Sequence, residues 1–394
     1  MKPDRCRASS GEPADGQAIY KQEGWHVKKL RIGILGCGAI SGHYLRSARD
    51  VFSDTQVVTA CADLVREKAA GAAREYGIAK VQTPEEMLDD PDLDLIVNLT
   101  VPQVHEELTL ACLTHGKHVY SEKPIAMTRE GAQKIRNAAD RFGLRVGCAP
   151  DSFLGAPLQT AKKVVESGWI GEPVGVSAIC AMRGNEYWRP DANFFYQKGA
   201  GPMLDMAPYY FNALISIISP FKSVTAQARI TYPQRTIKVA PRRGEVIQVE
   251  VPTFVSGVFE FANGAIGTFI NSFDIWKTKS ACIEIYGEKG TLVLPDPNQY
   301  IGEVLISRYG DGEWHACPQF NEYTKYMRGA GIADMARAIE LGVPHRASLE
   351  MAYHVTDTML AFEESATEGV KKQISSTCAK PAGSWEREDT ILWK

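Results

Sequence analysis

Gly33-Ile34-Leu35-Gly36-Cys37-Gly38-Ala39-Ile40-Ser41-Gly42 is the stretch on which the fold reading turns. It closes a short apolar run, 30–35, and opens a segment of helical spacing that reaches about residue 49. Gly36 and Gly38 hold the first two places of a G-x-G-x-x-G pattern, and the small Ser41 holds the third. The first glycine permits a tight strand-to-helix turn, and the second lets backbone N–H groups approach a pyrophosphate at the helix N-terminus. A small third residue lets helix and strand pack closely. With Cys37, Ala39 and Ile40, these residues form a candidate cradle for a dinucleotide phosphate. Strand before and helix after is the context that gives the pattern weight.

Outward from this turn, apolar runs alternate with helix-length segments. Runs at 56–62, 94–99, 118–121 and 144–149 are separated by helical patterns at 65–76, 104–115 and 129–142. Thr83-Pro84-Glu85-Glu86 is a capping box with proline at the first helical position, opening a short helix. This alternation predicts βαβ units, hence a doubly wound parallel sheet over 29–150. Past 150 the rhythm changes. Helices are predicted near 158–167 and 205–218, with extended segments at 174–182, 224–232, 246–261, 265–273, 281–286, 291–294 and 304–307. Helices at 331–341 and 349–368 follow. The expectation for 151–374 is an α+β domain with a large open, mostly antiparallel sheet. Residues 1–28, polar and rich in Gly, Pro, Ser and Asp, read as a disordered lead-in, with Val27 a candidate initiator, and 375–394 as a tail.

The 394 residues carry 44 Lys+Arg against 47 Asp+Glu, so no basic excess suggests nucleic acid as a partner. No run of about 18 apolar residues suggests a membrane span. Nine cysteines are scattered without a C-x-x-C pair. That favours reduced thiols in a cytoplasmic protein over a disulfide framework, and no metal site is expected. His115 and His118 straddle a helix end, and the acidic loop 89–94 lacks calcium-loop spacing.

Asp63 ends the second run, 25 residues after Gly38. A carboxylate there accepts hydrogen bonds from adenosine ribose hydroxyls and repels a 2′-phosphate, so NAD is the expected cofactor. Arg66 keeps NADP in view, and the alternative for Asp63 is a cap on the next helix. Lys123, in Tyr120-Ser121-Glu122-Lys123-Pro124, stands at the carboxyl end of a strand and so faces the ligand crevice of an open sheet, unless it is a solvated surface lysine.

The glycine turn, Thr100-Val101-Pro102 with His105, Gly116-Lys117-His118-Val119 and Glu122-Lys123-Pro124 together resemble the glucose–fructose oxidoreductase/inositol dehydrogenase (Gfo/Idh/MocA) family. The resemblance runs from about Leu30 to Ile374. It implies a Rossmann domain followed by a large open sheet, and hydride transfer between NAD(P) and a sugar, glycoside or cyclitol carbon. It makes Lys123 the lysine beside nicotinamide and puts Thr100, Val101, Pro102, His105 and Glu122 along the cofactor groove. It also implies a homo-oligomer, dimer or tetramer, paired through the second sheet.

Gly199-Ala200-Gly201-Pro202-Met203-Leu204-Asp205-Met206-Ala207-Pro208-Tyr209 resembles the family's segment in which Asp precedes His by four residues; here Tyr209 stands in the histidine place, as in the sugar and dihydrodiol dehydrogenase branch. Asp205 reads as a helix cap, with Pro208 in the first turn. Tyr209 becomes a candidate acid/base if the Lys123 ammonium favours its ionised form; the alternative is a half-buried aromatic. Trp188-Arg189 resembles a pair the family places near the cofactor. Arg183, Tyr187 and Asn193 lie in a stretch dense in aromatic and polar groups, either a substrate loop or a surface loop with buried anchors. The expected function is an NAD(P)-dependent dehydrogenase or reductase acting on a carbohydrate-like alcohol. An NAD-dependent glycosidase, which regenerates its NAD, and a non-catalytic NAD-binding sensor are the alternatives.

Overall fold

Leu30, Ile32 and Ile34 alternate with Arg31, Gly33 and Leu35 in the first strand, and all but Arg31 are buried. An apolar residue on both faces suits a strand covered by helices on both sides. In the computed structural model, which describes residues 28–319 and 327–383, this strand is the third of six in a parallel sheet. The strands are β1 (Leu30–Leu35), β2 (Gln56–Ala62), β3 (Lys80–Val81), β4 (Leu95–Asn98), β5 (His118–Ser121) and β6 (Val146–Cys148), ordered β3-β2-β1-β4-β5-β6. The crossovers hold α1 (Ser41–Asp50), α2 (Arg66–Tyr76), α3 (Pro84–Asp89), α4 (His105–Thr114) and α5 (Arg129–Phe142). Strand order reverses between β1 and β4, and a crevice opens at their carboxyl ends. Its walls touch: a Cβ on Gly36, whose φ is +100°, would lie 2.8 Å from the Leu99 carbonyl carbon and oxygen. Only glycine serves there.

After α6 (Ala156–Glu166) the chain builds a nine-stranded sheet. Its strands are β7 (Pro173–Ala181), β8 (Phe221–Arg229), β11 (Phe254–Phe261), β12 (Ile266–Ser272), β13 (Ile283–Gly287), β14 (Gly290–Leu294), β15 (Leu305–Arg308), β16 (His315–Ala316) and β17 (Lys372–Gln373). All neighbours are antiparallel except β7 and β12. The expected fold class therefore holds. The segment 246–261 is not one strand: β10 (Val246–Gln248) pairs only with β9 (Gln234–Thr236), and Pro252 interrupts the run before β11. Proline cannot donate to a ladder.

One face of this sheet packs on α7 (Gly201–Ile217) and α9 (Leu349–Glu368) through phenylalanines. The helix α8 (Ala330–Leu341) instead returns to the first sheet, where Cys148 N–H donates to Ala347 O at 3.0 Å and Gly331 packs against Tyr120. The C-terminal helices thus tie the two sheets together, and Arg129 of α5 pairs with Asp357 and Glu364 of α9. Residues 375–383, expected as a tail, are anchored: Ser375 Oγ and Ser376 N–H donate to Asp357 at 2.9 and 2.8 Å, and Lys380 Nζ donates to Ile217 O at 2.6 Å. Residues 1–27 of the lead-in, with the candidate initiator, and residues 384–394 lie outside the described residues. None of the described helices is long and apolar enough to cross a membrane.

His354, fully buried on α9, accepts the Phe221 N–H at Nε2 (2.9 Å), so its proton sits on Nδ1 and points to Ser376 Oγ at 3.0 Å. Burial pushes this imidazole down from 6.5 to about 4. Between these values the unfolded chain binds the extra proton, so stability is lost as pH falls from about 6.5 to about 4, by about 3 kcal/mol. His354→Gln keeps an acceptor for Phe221 N–H and should flatten that part of a denaturation-versus-pH curve; an unchanged slope would assign the loss elsewhere.

Candidate active site

The glycine turn is held from behind and bare in front. Gly36 N–H donates to Ala62 O at 2.8 Å, Cys37 N–H to Asp63 Oδ2 at 2.8 Å, and Ser41 Oγ to Gly38 O at 2.7 Å. No atom lies within 4 Å of where a Cβ on Gly38 would stand, so that residue and Ala39 present open backbone at the start of α1. Asp63 Oδ1 accepts the Val65 N–H at 2.8 Å, so the carboxylate fixes the loop entering α2 as well as the turn but does not cap that helix, whose N-cap is Val65. Each oxygen keeps a second lone pair for a ribose hydroxyl. The residues fit an adenine dinucleotide without a 2′-phosphate. Asp63→Ala should weaken NAD binding about tenfold or more and narrow the NAD/NADP affinity ratio. Calorimetric titration with both cofactors checks this, since a strut alone would change both affinities equally.

Across the crevice, Asn98 Oδ1 accepts Thr100 Oγ1 at 2.6 Å, leaving Val101 exposed and Pro102 opening a short turn before α4. His105 and Glu122, expected along the groove, are both buried. His105 is fully buried, its Nδ1 2.8 Å from Pro124 O and its Nε2 3.1 Å from Thr100 O, and burial pushes its imidazole down. It ties the turn after β4 to the turn after β5. Glu122 is 9% exposed and accepts Tyr44 Oη at 2.8 Å and Lys123 N–H at 3.2 Å. Both give internal partners to backbone groups of these turns, which need them when buried.

Lys123 Nζ donates to Asp205 O at 2.6 Å and Asp205 Oδ1 at 2.8 Å, and lies 5.5 Å from the Tyr209 ring centroid. Burial alone would lower this ammonium, but Asp205, Tyr209 and Glu122 outweigh it and hold it above the ordinary lysine range. The helix bringing Asp205 and Tyr209 here begins at Gly201, so Asp205 is not its cap. Gly199 and Gly201, at φ +87° and +86°, make the turn, and Asn271 Nδ2 holds Pro202 O at 2.7 Å. Pro208 therefore falls inside the helix. Its missing N–H leaves Leu204 O without its usual donor and opens the turn. The next carbonyl, Asp205 O, takes the lysine. Gly199 closes on Met127 of the Lys123 turn, where a Cβ would come within 2.9 Å.

The Tyr209 oxygen has a different partner, Arg328 Nη2, at 3.0 Å. Burial pushes the phenol up, opposed first by Arg328 and then by Lys123. Lys123 acts in the expected direction, but burial outweighs it and Arg328 is the stronger of the two cations. From sequence, Arg328 stands at the edge of a C-terminal helix, where it could reach a substrate or serve as a helix-terminus charge. Its turn is pinned by fully buried Asp151, which accepts Gly329 N–H at 2.8 Å, Gly331 N–H at 2.9 Å and the Tyr300 hydroxyl.

The remaining predicted residues are not joined to this cluster by any hydrogen bond or ion pair among the described residues. Arg189 pairs with Asp191 at 3.0 Å and lies over Trp188, which is largely exposed. Arg183 stacks on Trp276 at 4.1 Å and donates to Tyr187 Oη at 3.2 Å, while Asn193 Oδ1 is buried without a donor. Arg183 and Tyr187 gather on Trp276 just after β7, while Arg189 gathers with Asp191 and Trp188.

Residues 30–149 match the model of the oxidoreductase family with an NAD-binding Rossmann fold, and 158–293 match the GFO/IDH/MocA C-terminal domain. An inositol 2-dehydrogenase of Azotobacter vinelandii is 31% identical over 281 residues, 68% of this chain and 75% of that protein. A 1,5-anhydro-D-fructose reductase of Ensifer adhaerens is 27% identical over 270 residues, 67% of this chain and 75% of that protein. A levoglucosan dehydrogenase structure, a complex with NADH and L-sorbose, superposes with a TM-score of 0.76 at 22% identity, covering 88% of this chain and 99% of that one. With its turn, crevice and second sheet in this arrangement, the chain belongs to the GFO/IDH/MocA family of NAD-binding oxidoreductases.

Proposed function

We propose that this oxidoreductase moves hydride between NAD and a secondary alcohol or ketone carbon of a sugar, glycoside or cyclitol, with Lys123, Asp205 and Tyr209 as its chemical centre. The observation that carries the proposal is their convergence at the crevice, from opposite domains. The Lys123 ammonium uses two of its three hydrogens on Asp205, and the third is directed to the substrate oxygen. Asp205 fixes that ammonium and keeps it charged. Tyr209 takes the hydroxyl proton in oxidation and returns it in reduction. NAD, when bound, supplies the hydride acceptor. Relatives named for inositol and anhydro-sugars support a polyhydroxylated substrate.

Reduced-nicotinamide absorbance across inositols, anhydro-sugars, glycosides and free sugars tests this with each cofactor. Net NADH from at least one class, lost in Lys123→Met, is the expected result. Release of an aglycone with no net NADH would replace it with the glycosidase cycle. The reading includes a cytoplasmic location and a homo-oligomer. Val258, Ile266 and Tyr286 are exposed on the sheet face turned from α7 and α9, which supports pairing there; a monomer by sedimentation would remove it.

A further inference from the structure

We infer that Arg328, and not Lys123, is the positioning residue that fixes and polarises the Tyr209 phenol, aiming its hydrogen at the substrate. The inference rests on the assignment of Tyr209 as the proton carrier. One nitrogen carries it: Arg328 Nη2 gives one hydrogen to the Tyr209 oxygen at 3.0 Å and the other to Asn298 Oδ1 at 2.7 Å. Because a guanidinium only donates, the phenol oxygen must accept from it, and its own hydrogen must point away. The planar guanidinium fork fixes the directions in which that nitrogen presents its two hydrogens, which a freely rotating ammonium does not. Lys123 makes no hydrogen bond to the phenol oxygen; its ammonium is bound to Asp205 and lies 5.5 Å from the Tyr209 ring centroid.

The fork itself is held. Asp151 accepts both N–H groups that flank the Arg328 turn on its C-terminal side, and Tyr300 donates to the same carboxylate. Among the described residues, the charged groups around the phenol are Arg328 and Lys123 of one sign and Glu122 and Asp205 of the other; Asp151 and Asp296 lie on the Arg328 side. Of the two cations, Arg328 favours the ionised phenol more strongly.

Tyrosinate difference absorbance between the full chain and Tyr209→Phe reads this phenol alone and needs no substrate. In the Arg328→Gln background the same difference titration should move to higher pH by about one unit or more, and in Lys123→Met by less. Arg328→Lys, which keeps charge but not the fork, should give an upward move smaller than that of Arg328→Gln, and carries the test if the glutamine variant does not fold. Where turnover is measurable, the ascending limb of kcat/KM against pH for alcohol oxidation should move in parallel. A titration unmoved in the arginine variants, or moved more by Lys123→Met, overturns the inference. A titration that moves as expected while Tyr209→Phe retains full turnover upholds the Arg328–Tyr209 coupling and removes Tyr209 as the proton carrier.

Discussion

Lys123→Met is expected to lower kcat/KM by about 10²–10⁴ while the chain folds and binds NAD as before. Methionine preserves the buried stem of the lysine, so packing between the two domains changes little. What disappears is the ammonium that holds the substrate oxygen. Asp205 is left without its partner, but its side chain is 21% exposed, so water can solvate it and the structural cost stays small. Asp205→Asn should be milder, because Asp205 O still accepts the lysine when the carboxylate charge is gone. Because Asp205 and its neighbours hold Lys123 charged above the ordinary lysine range, a limb between about pH 5 and 9 is expected to survive in Lys123→Met. Steady-state rates at saturating NAD, with cofactor affinity measured separately, check the prediction. Turnover within about threefold of the parent would place the ammonium away from the reacting oxygen.

What the sequence reveals and what it hides follow the range of the forces involved. The strand at Leu30–Leu35 and the helix at Leu349–Glu368 lie where periodicity puts them, because each is set by its own alternation and caps, including Ser348 Oγ on Met351 N–H at 3.3 Å. The start of α7 is misread because an aspartate looks like a cap, whereas two left-handed glycines and a distant Asn271 decide where the helix begins. His105 and Glu122 resemble groove residues in their order along the chain, yet their partners, Thr100, Pro124 and Tyr44, turn them inward. Arg328 is visible in sequence only as a helix-edge charge, with nothing local to name Tyr209 as its partner. It lies 119 residues from Tyr209, and its turn is set by Asp151, which follows β6. Motif order thus locates the crevice and its lysine, while the group on the phenol comes from tertiary packing alone.

Phe211→Ala should destabilise the second domain by about 3–5 kcal/mol. Phe211 is fully buried on α7, with ring centroids 4.9 Å from Phe221, 5.3 Å from Phe269 and 5.5 Å from Phe362. It therefore joins one helix to two strands and to α9 at a single point. Phe221 continues the cluster to Phe259 at 5.0 Å and Phe261 at 4.9 Å, so neighbouring rings are already committed and cannot collapse into the space. A cavity left unfilled is what makes such a substitution costly. Phe211→Leu, which keeps most of the volume, should cost about 1–1.5 kcal/mol, and the difference between the variants measures the cavity term. Because the same helix carries Asp205 and Tyr209 two turns or less from Phe211, the alanine variant should also lose activity below its unfolding midpoint, through a looser α7. Urea unfolding followed by tryptophan fluorescence, with rates measured at low urea, tests both parts. Equal midpoints for the parent and the alanine variant would show that the aromatic cluster repacks, and that α7 is held mainly by its glycine turn and the Lys123 contact.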